Sequence, residues 1–209
     1  MSQLINEINN MRKLMGITEG VVPSVLYHGG GADFDQFDLS HVLGGAGVIT
    51  HGYGVYLTAD KSVAERYALN SVGRKGFIYT VRAYNIDTLL GWEEPVDNDI
   101  AQNIFNRYSR MTEDEQDLED MMDALGLSDG YYGQSMTSSL YSYLEAVLGG
   151  KKQATDLLLK SGVDGIYFRS NESGTDTINY VIFDEGNVKI LDKESISSDE
   201  TPGVYKYSV

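Results

Sequence analysis

The sequence contains no cysteine. Disulfides, thiolate-bound metals and cysteine nucleophiles are therefore excluded, and the absence fits a reducing cytosol without demanding one. Histidine is scarce, with only His28, His41 and His51 in the chain. No HExxH run occurs, so the spacing that brings two imidazoles to one metal is missing and no metal is expected. Positive charge is also in deficit: Lys and Arg number 16 against 31 Asp and Glu, a formal net charge of -15. A field of that sign repels phosphate backbones and anionic lipid, so neither nucleic acid nor membrane is an expected partner. No stretch reaches the roughly 18 consecutive apolar residues of a membrane-spanning helix. No basic head precedes an apolar run at the N-terminus, so no secretory signal is expected. Finally, no G-x-G-x-x-G turn follows a strand, which argues against a doubly wound dinucleotide fold.

What is present suits a globular domain. The chain has 209 residues, 42% apolar and 22% charged, enough for one domain with appended segments. The charge is uneven. Lys61, Arg66, Arg74, Lys75 and Arg82 lie in a stretch where only Asp60 and Glu65 oppose them, and a small anionic ligand is at home near such a stretch. Residues 93–123 are strongly acidic, as solvated helix faces commonly are.

Leu4, Ile5, Ile8, Met11 and Met15 recur at helical spacing, which predicts an amphipathic helix over residues 2–16 within an N-terminal arm, residues 1–20. A domain over residues 21–192 follows, and residues 193–209 read as a loosely held tail. Within the domain, strands are predicted at 25–28, 54–58, 77–83, 165–169, 178–184 and 188–191. Helices are predicted from Asp60 or Ser62 to about Asn70, over 97–109, 112–125 and 139–148, and from 151 to 161, so that residues 97–161 are mainly helical. Ser62 with Glu65 matches a reciprocal capping box. The triple glycine Gly29–Gly30–Gly31 permits unusual backbone angles and close ligand approach, and Phe34 and Phe37 are expected to pin the loop after it to the core. The order is α+β without regular alternation.

Three segments carry chemistry: Leu26-Tyr27-His28-Gly29, then Gly52-Tyr53-Gly54-Val55-Tyr56-Leu57-Thr58 with a helix ending Glu65-Arg66-Tyr67-Ala68, then Thr177 to Asp184 (TINYVIFD). Together they resemble the His–Tyr–Glu branch of the ADP-ribosyltransferases, which includes diphtheria-type toxins and poly(ADP-ribose) polymerases. The resemblance includes the eleven-residue step from Tyr56 to Tyr67. A narrower likeness links residues 79–95, 140–149 and 162–167 to the ADP-ribosyltransferase modules of phage and prophage polyvalent proteins. It spans roughly residues 23–191.

The resemblance implies a split antiparallel β-sheet core with a helical insertion, preceded here by the N-terminal helix. It implies NAD⁺ as substrate and a host macromolecule, a protein in the first place, as acceptor of a single ADP-ribose. Tyr56 and Tyr67 would sandwich the nicotinamide, a cationic ring that gains cation–π energy on tyrosine. His28 would bond the adenosine-side ribose, and Gly29 would present its backbone to the nicotinamide amide. The family's glutamate position holds Asn179, which can accept a hydrogen bond but cannot act as a base. Glu172, Asp176 and Asp184 are the acids near it in sequence. The position eight residues after Tyr56 is Ala64, as in the toxin-like subgroup. His41 and His51 read as structural. Alternatives to transfer are an inactive or weak binding module, virion-associated for instance, and an NAD⁺ glycohydrolase. The expected location is a cytoplasm, that of the host if the chain is of phage origin, or a virion.

Overall fold

The structure, a computed structural model, describes residues 25–44, 50–70, 75–128, 135–172 and 175–197. The N-terminal helix expected over residues 2–16 lies outside these residues, as does the chain beyond 197.

Seven strands form one sheet: β1 (Leu26–Gly30), β2 (Val55–Thr58), β3 (Lys75–Ala83), β4 (Leu89–Gly91), β5 (Gly165–Glu172), β6 (Thr175–Ile182) and β7 (Val188–Ser197), in the order β4-β5-β6-β2-β1-β3-β7. All neighbours are antiparallel except β4 and β5. β1 pairs with β3 along its whole length, from Leu26↔Val81 to Gly30↔Phe77, but meets β2 only at Tyr27↔Thr58. That single pairing is the split expected of the core. From His28 onward the two halves of the sheet separate, with β4, β5, β6 and β2 on one side and β1, β3 and β7 on the other.

Five α-helices among the described residues follow the predicted order: α1 (Lys61–Leu69), α2 (Asn98–Tyr108), α3 (Glu115–Leu125), α4 (Thr137–Leu148) and α5 (Lys151–Lys160). α1 begins where Asp60 accepts a bond from Ser62 N at 2.8 Å, so Asp60 is the N-cap and the Ser62–Glu65 box is not the cap used. An Asp in this position satisfies one of the orphan amides of the first turn, worth about 1 kcal/mol. Val63, Ala64 and Ala68 are buried on α1, and Ala64 and Ala68 pack with Ile78 and Tyr27 of the sheet.

α2–α5 cover the other half of the same sheet face. Ile104, Met121, Leu140, Leu144 and Leu158 pack there on Ile166 and Val181. The opposite face is buried by Leu26, Val55, Leu57, Tyr79, Val81, Tyr180 and Ile182 beneath the loop that carries Phe37 and Leu39. Each fully buried aliphatic side chain contributes about 1.5–3 kcal/mol. Strand alternation decides which residues meet which layer: in β6, Tyr180 and Ile182 face the loop, whereas Val181 faces the helices.

Two expectations need correction. The segment read as a loose tail from residue 193 is strand as far as Ser197, pairing down to Lys75↔Ser197. β7 is an edge strand and mostly exposed, so the apolar alternation that marks a strand is missing. Its Lys and Glu side chains are those that edge strands carry to discourage pairing with other chains. β4 was not anticipated as a strand. It is three residues long, too short to show a period.

Candidate active site

His28 sits where β1 leaves β2. Its Nδ1 lies 2.9 Å from the backbone carbonyl oxygen of Tyr56. A carbonyl only accepts, so Nδ1 donates, and in the neutral ring Nε2 is left as an acceptor. Burial lowers the pKa of His28 from the ordinary imidazole value, while the bond to Tyr56 pulls the other way. Phe37 meets the ring edge-on at 5.2 Å, and Phe34 and Tyr79 stand at about 6 Å. Phe34 stacks on Tyr79 at 4.2 Å, so it pins its loop as expected. Nε2 is next to Gly30: a Cβ there would stand 3.3 Å from it. The missing side chain keeps space open beside the acceptor nitrogen.

Tyr56 sends its ring to the other face of the sheet, against the helical layer. Its hydroxyl donates to Gly52 O at 2.9 Å and accepts from His51 N at 3.0 Å. Burial above all pushes the phenol pKa up to about 12, so the group stays neutral across the physiological range. Two bonds to the loop before β2 hold the ring in place. His51 itself stacks on Phe168 at 3.7 Å and 6°.

Asn179 is opposite Thr58 in β2 and Phe168 in β5. Directly opposed residues share a face, and alternation puts Tyr56 on that face as well. Thr58, Thr177 and Asn179 are buried polar residues on this one patch. Beside them Ser170, opposite Thr177, carries a buried hydroxyl without a partner. A polar group is seldom buried and left so; this one lies in the row beyond Thr58 and Asn179, on the side away from the split. No bond to the Asn179 side chain is present among the described residues.

Gly29 meets α1. A Cβ on it would fall 1.8 Å from the carbonyl oxygen of Ala64, so only glycine allows the helix this close. Tyr67 stands one turn beyond Ala64, on the rim of the buried face of α1, and is 49% exposed. Contacts thus run from Tyr56 through His28 and Gly29 to the turn before Tyr67, with Asn179 two ladder positions from Tyr56 on the face that carries its ring.

Two of the acids near Asn179 in sequence, Asp176 and Asp184, are not near it in space. Asp176 is exposed and on the other face of β6. Asp184 is five residues further along, about 17 Å of strand, where it caps a 3-10 turn through Gly186 N. The Glu172 side chain lies outside the described residues. Of the basic stretch, Lys61 bonds Glu194 at 2.7 Å, and Arg74 lies outside the described residues. The sequence marks His51 only as structural and passes over Thr58 and Ser170. Their place depends on strand register, and only a paired alignment of β2, β5 and β6 would have signalled it. Among the described residues no group of three or more His, Asp or Glu side chains is placed to hold a metal. No described helix is long and apolar enough to cross a membrane.

The profile of a family described as ADP-ribosyltransferase in polyvalent proteins matches residues 18–198. No curated protein and no solved structure matches the chain. The match takes in every described strand and helix and ends one residue past β7. The chain belongs to the ADP-ribosyltransferases of polyvalent proteins.

Proposed function

We propose that the protein transfers a single ADP-ribose from NAD⁺ to an acceptor protein and releases nicotinamide. The observation that carries this reading is the bond from His28 to the Tyr56 carbonyl. It leaves Nε2 as an acceptor in a space that Gly30 keeps open, at the point where the sheet divides. A ribose hydroxyl is a donor that suits it.

In the proposed reaction the bond between nicotinamide nitrogen and ribose carbon breaks heterolytically. The electron pair goes to the ring nitrogen and neutralises its charge, so no acid is needed to assist departure. The cationic ribose is captured by a nucleophile of the acceptor, whose proton passes to solvent. The protein's task is then positioning and electrostatic stabilisation. Tyr56 and Tyr67 would hold the nicotinamide, Gly29 its amide and His28 the adenosine-side ribose. Asn179 would accept a bond from the nicotinamide-side ribose without supplying charge.

Losing that charge lowers the rate by about 10²–10³ and removes the base that elongation of a chain requires. Single transfer is therefore the fitting outcome. A protein acceptor fits better than nucleic acid, because the net charge of -15 opposes a polyanion.

The test is incubation of the protein with NAD⁺ labelled in its ADP-ribose part and a host lysate, with Tyr56→Ala as control. Labelled protein together with equimolar nicotinamide is expected from the wild type alone. Free ADP-ribose without labelled protein would make the enzyme a glycohydrolase. Measured NAD⁺ binding with neither product would make it a binding module, the reading that Asn179 favours.

A further inference from the structure

His28, Tyr79 and Lys193 lie in one row across three strands. Tyr79 of β3 is opposite His28 of β1 and also opposite Lys193 of β7, so the three side chains share a face. Each of them engages the same loop, residues 31–37. Lys193 Nζ donates to Asp33 Oδ1 at 2.5 Å, to Asp35 Oδ1 at 2.8 Å and to Phe34 O at 3.3 Å. The Tyr79 hydroxyl donates to Ala32 O at 2.7 Å and accepts from Phe34 N at 3.0 Å. His28 receives the edge of Phe37 from that loop.

We infer that Lys193 and Tyr79 are positioning residues for His28, latching the 31–37 loop over the imidazole so that the ring keeps Nδ1 on the Tyr56 carbonyl and Nε2 toward Gly30. The role of His28 toward ribose rests on the function proposed above; the latch does not. A half-turn of the ring would exchange its nitrogen and carbon edges and lose the bond to Tyr56. Phe34 and Phe37 oppose that turn only while their loop is seated. The loop follows three glycines, Gly29–Gly30–Gly31, and a chain so free in its backbone needs outside anchors to hold one conformation.

Two kinds of anchor are supplied. Tyr79 is fully buried, and its hydroxyl closes a backbone donor and a backbone acceptor of the loop together. A single exposed ion pair holds little, but Lys193 gathers three acceptors on one ammonium, and its side chain is only 29% exposed. The strand that presents Lys193 is the part of β7 that sequence alone does not reveal.

The experiment uses the full chain labelled with ¹⁵N at histidine, the His28 signals being assigned by their loss in His28→Gln. In the wild type, one ring nitrogen is expected at a protonated and one at an acceptor shift near pH 7.5. Tyr79→Phe and Lys193→Met should move both shifts toward the average of the two tautomers while far-ultraviolet circular dichroism stays unchanged. NAD⁺ should bind about tenfold more weakly, the equivalent of one charge-assisted bond, and Lys193→Arg should restore both readouts. The double variant Asp33→Ala/Asp35→Ala removes the two carboxylate bonds from the loop side and should behave like Lys193→Met. Folded variants whose His28 shifts match the wild type would overturn the latch. That readout needs no NAD⁺, so failure of the proposed function and failure of the latch are separable.

Discussion

His28 bonds the backbone of Tyr56 and not its hydroxyl, across the gap where β1 and β2 cease to pair. The imidazole therefore stands where a ladder bond would have been, and the Tyr56 ring is free to serve the opposite face of the sheet. One residue pair thus couples the two halves of the sheet and orients a polar group for each face.

The titration of His28 should be visible in stability. Its folded pKa is held below the ordinary value near 6.5 by burial. Between those two values the unfolded chain binds the extra proton, so stability rises with pH. The contribution is complete above about pH 6.5 and is lost as pH falls toward the folded value. His51 is shifted in the same direction, first by burial, so the difference between wild type and His28→Gln isolates the first residue. Melting temperatures from pH 5 to pH 8 are expected to give difference curves flat on the alkaline side and sloping below; parallel curves throughout would exclude the assignment.

Gly29 and Gly30 are neighbours with different tasks. A methyl on Gly29 would enter the Ala64 carbonyl, so Gly29→Ala must displace α1. Overpacking of that kind costs about 1–3 kcal/mol, and the unfolding midpoint should fall accordingly. Gly30→Ala meets only the edge of the His28 ring at 3.3 Å. It should leave stability within about 1 kcal/mol yet fill the space beside Nε2 and abolish NAD⁺ binding. Denaturant titration and calorimetry of both variants decide the matter, and equal losses of stability would remove the distinction.

The two tyrosines should part in the same way. Tyr67 is 49% exposed, so Tyr67→Ala is expected to cost less stability than the about 3–5 kcal/mol of truncating a buried ring. Losing its face toward a cationic ring costs about 0.5–2 kcal/mol of binding, roughly two- to thirtyfold in Kd. Tyr56→Phe keeps the ring but strands His51 N–H and Gly52 C=O. It should cost about 1–3 kcal/mol of stability with a smaller change in Kd. Isothermal calorimetry beside thermal unfolding reads both quantities, and a Tyr67→Ala variant that binds NAD⁺ as tightly as wild type would take Tyr67 out of the site.

These variants follow a division between what local sequence carries and what register carries. α1 was legible because Asp60, Val63, Ala64 and Ala68 act within a few residues of each other. β2 and β6 were legible from their apolar runs, and His28, Gly29, Tyr56 and Tyr67 stand out as candidates by motif and spacing. Thr58 beside Asn179, Ser170 beside Thr177 and the row His28–Tyr79–Lys193 join residues that are 7 to more than 100 positions apart. Each partner is an ordinary residue in its own stretch. Only the pairing of strands makes a patch or a latch of them, and β7 hid its share because an exposed edge need not alternate.

Asn179 allows the most direct test of mechanism. It is 7% exposed, and it shares its face with the hydroxyls of Thr58 and Thr177, two groups able to donate to a carboxylate. Asn179→Glu would place a negative charge where the nicotinamide-side ribose becomes positive. A partner of that kind is worth about 10²–10³ in rate, so nicotinamide release should accelerate by a factor within that range. Burial costs the charge several kcal/mol before hydrogen bonding offsets it, and the new carboxyl should titrate above its ordinary value. The gain should therefore appear only as pH rises through that raised pKa, and the melting temperature should drop at alkaline pH relative to wild type. Nicotinamide release measured from pH 5 to pH 9, with NAD⁺ affinity in parallel, separates the possibilities. A folded Asn179→Glu protein that binds NAD⁺ like the wild type and cleaves it no faster at any pH would mean that this position does not face the breaking bond.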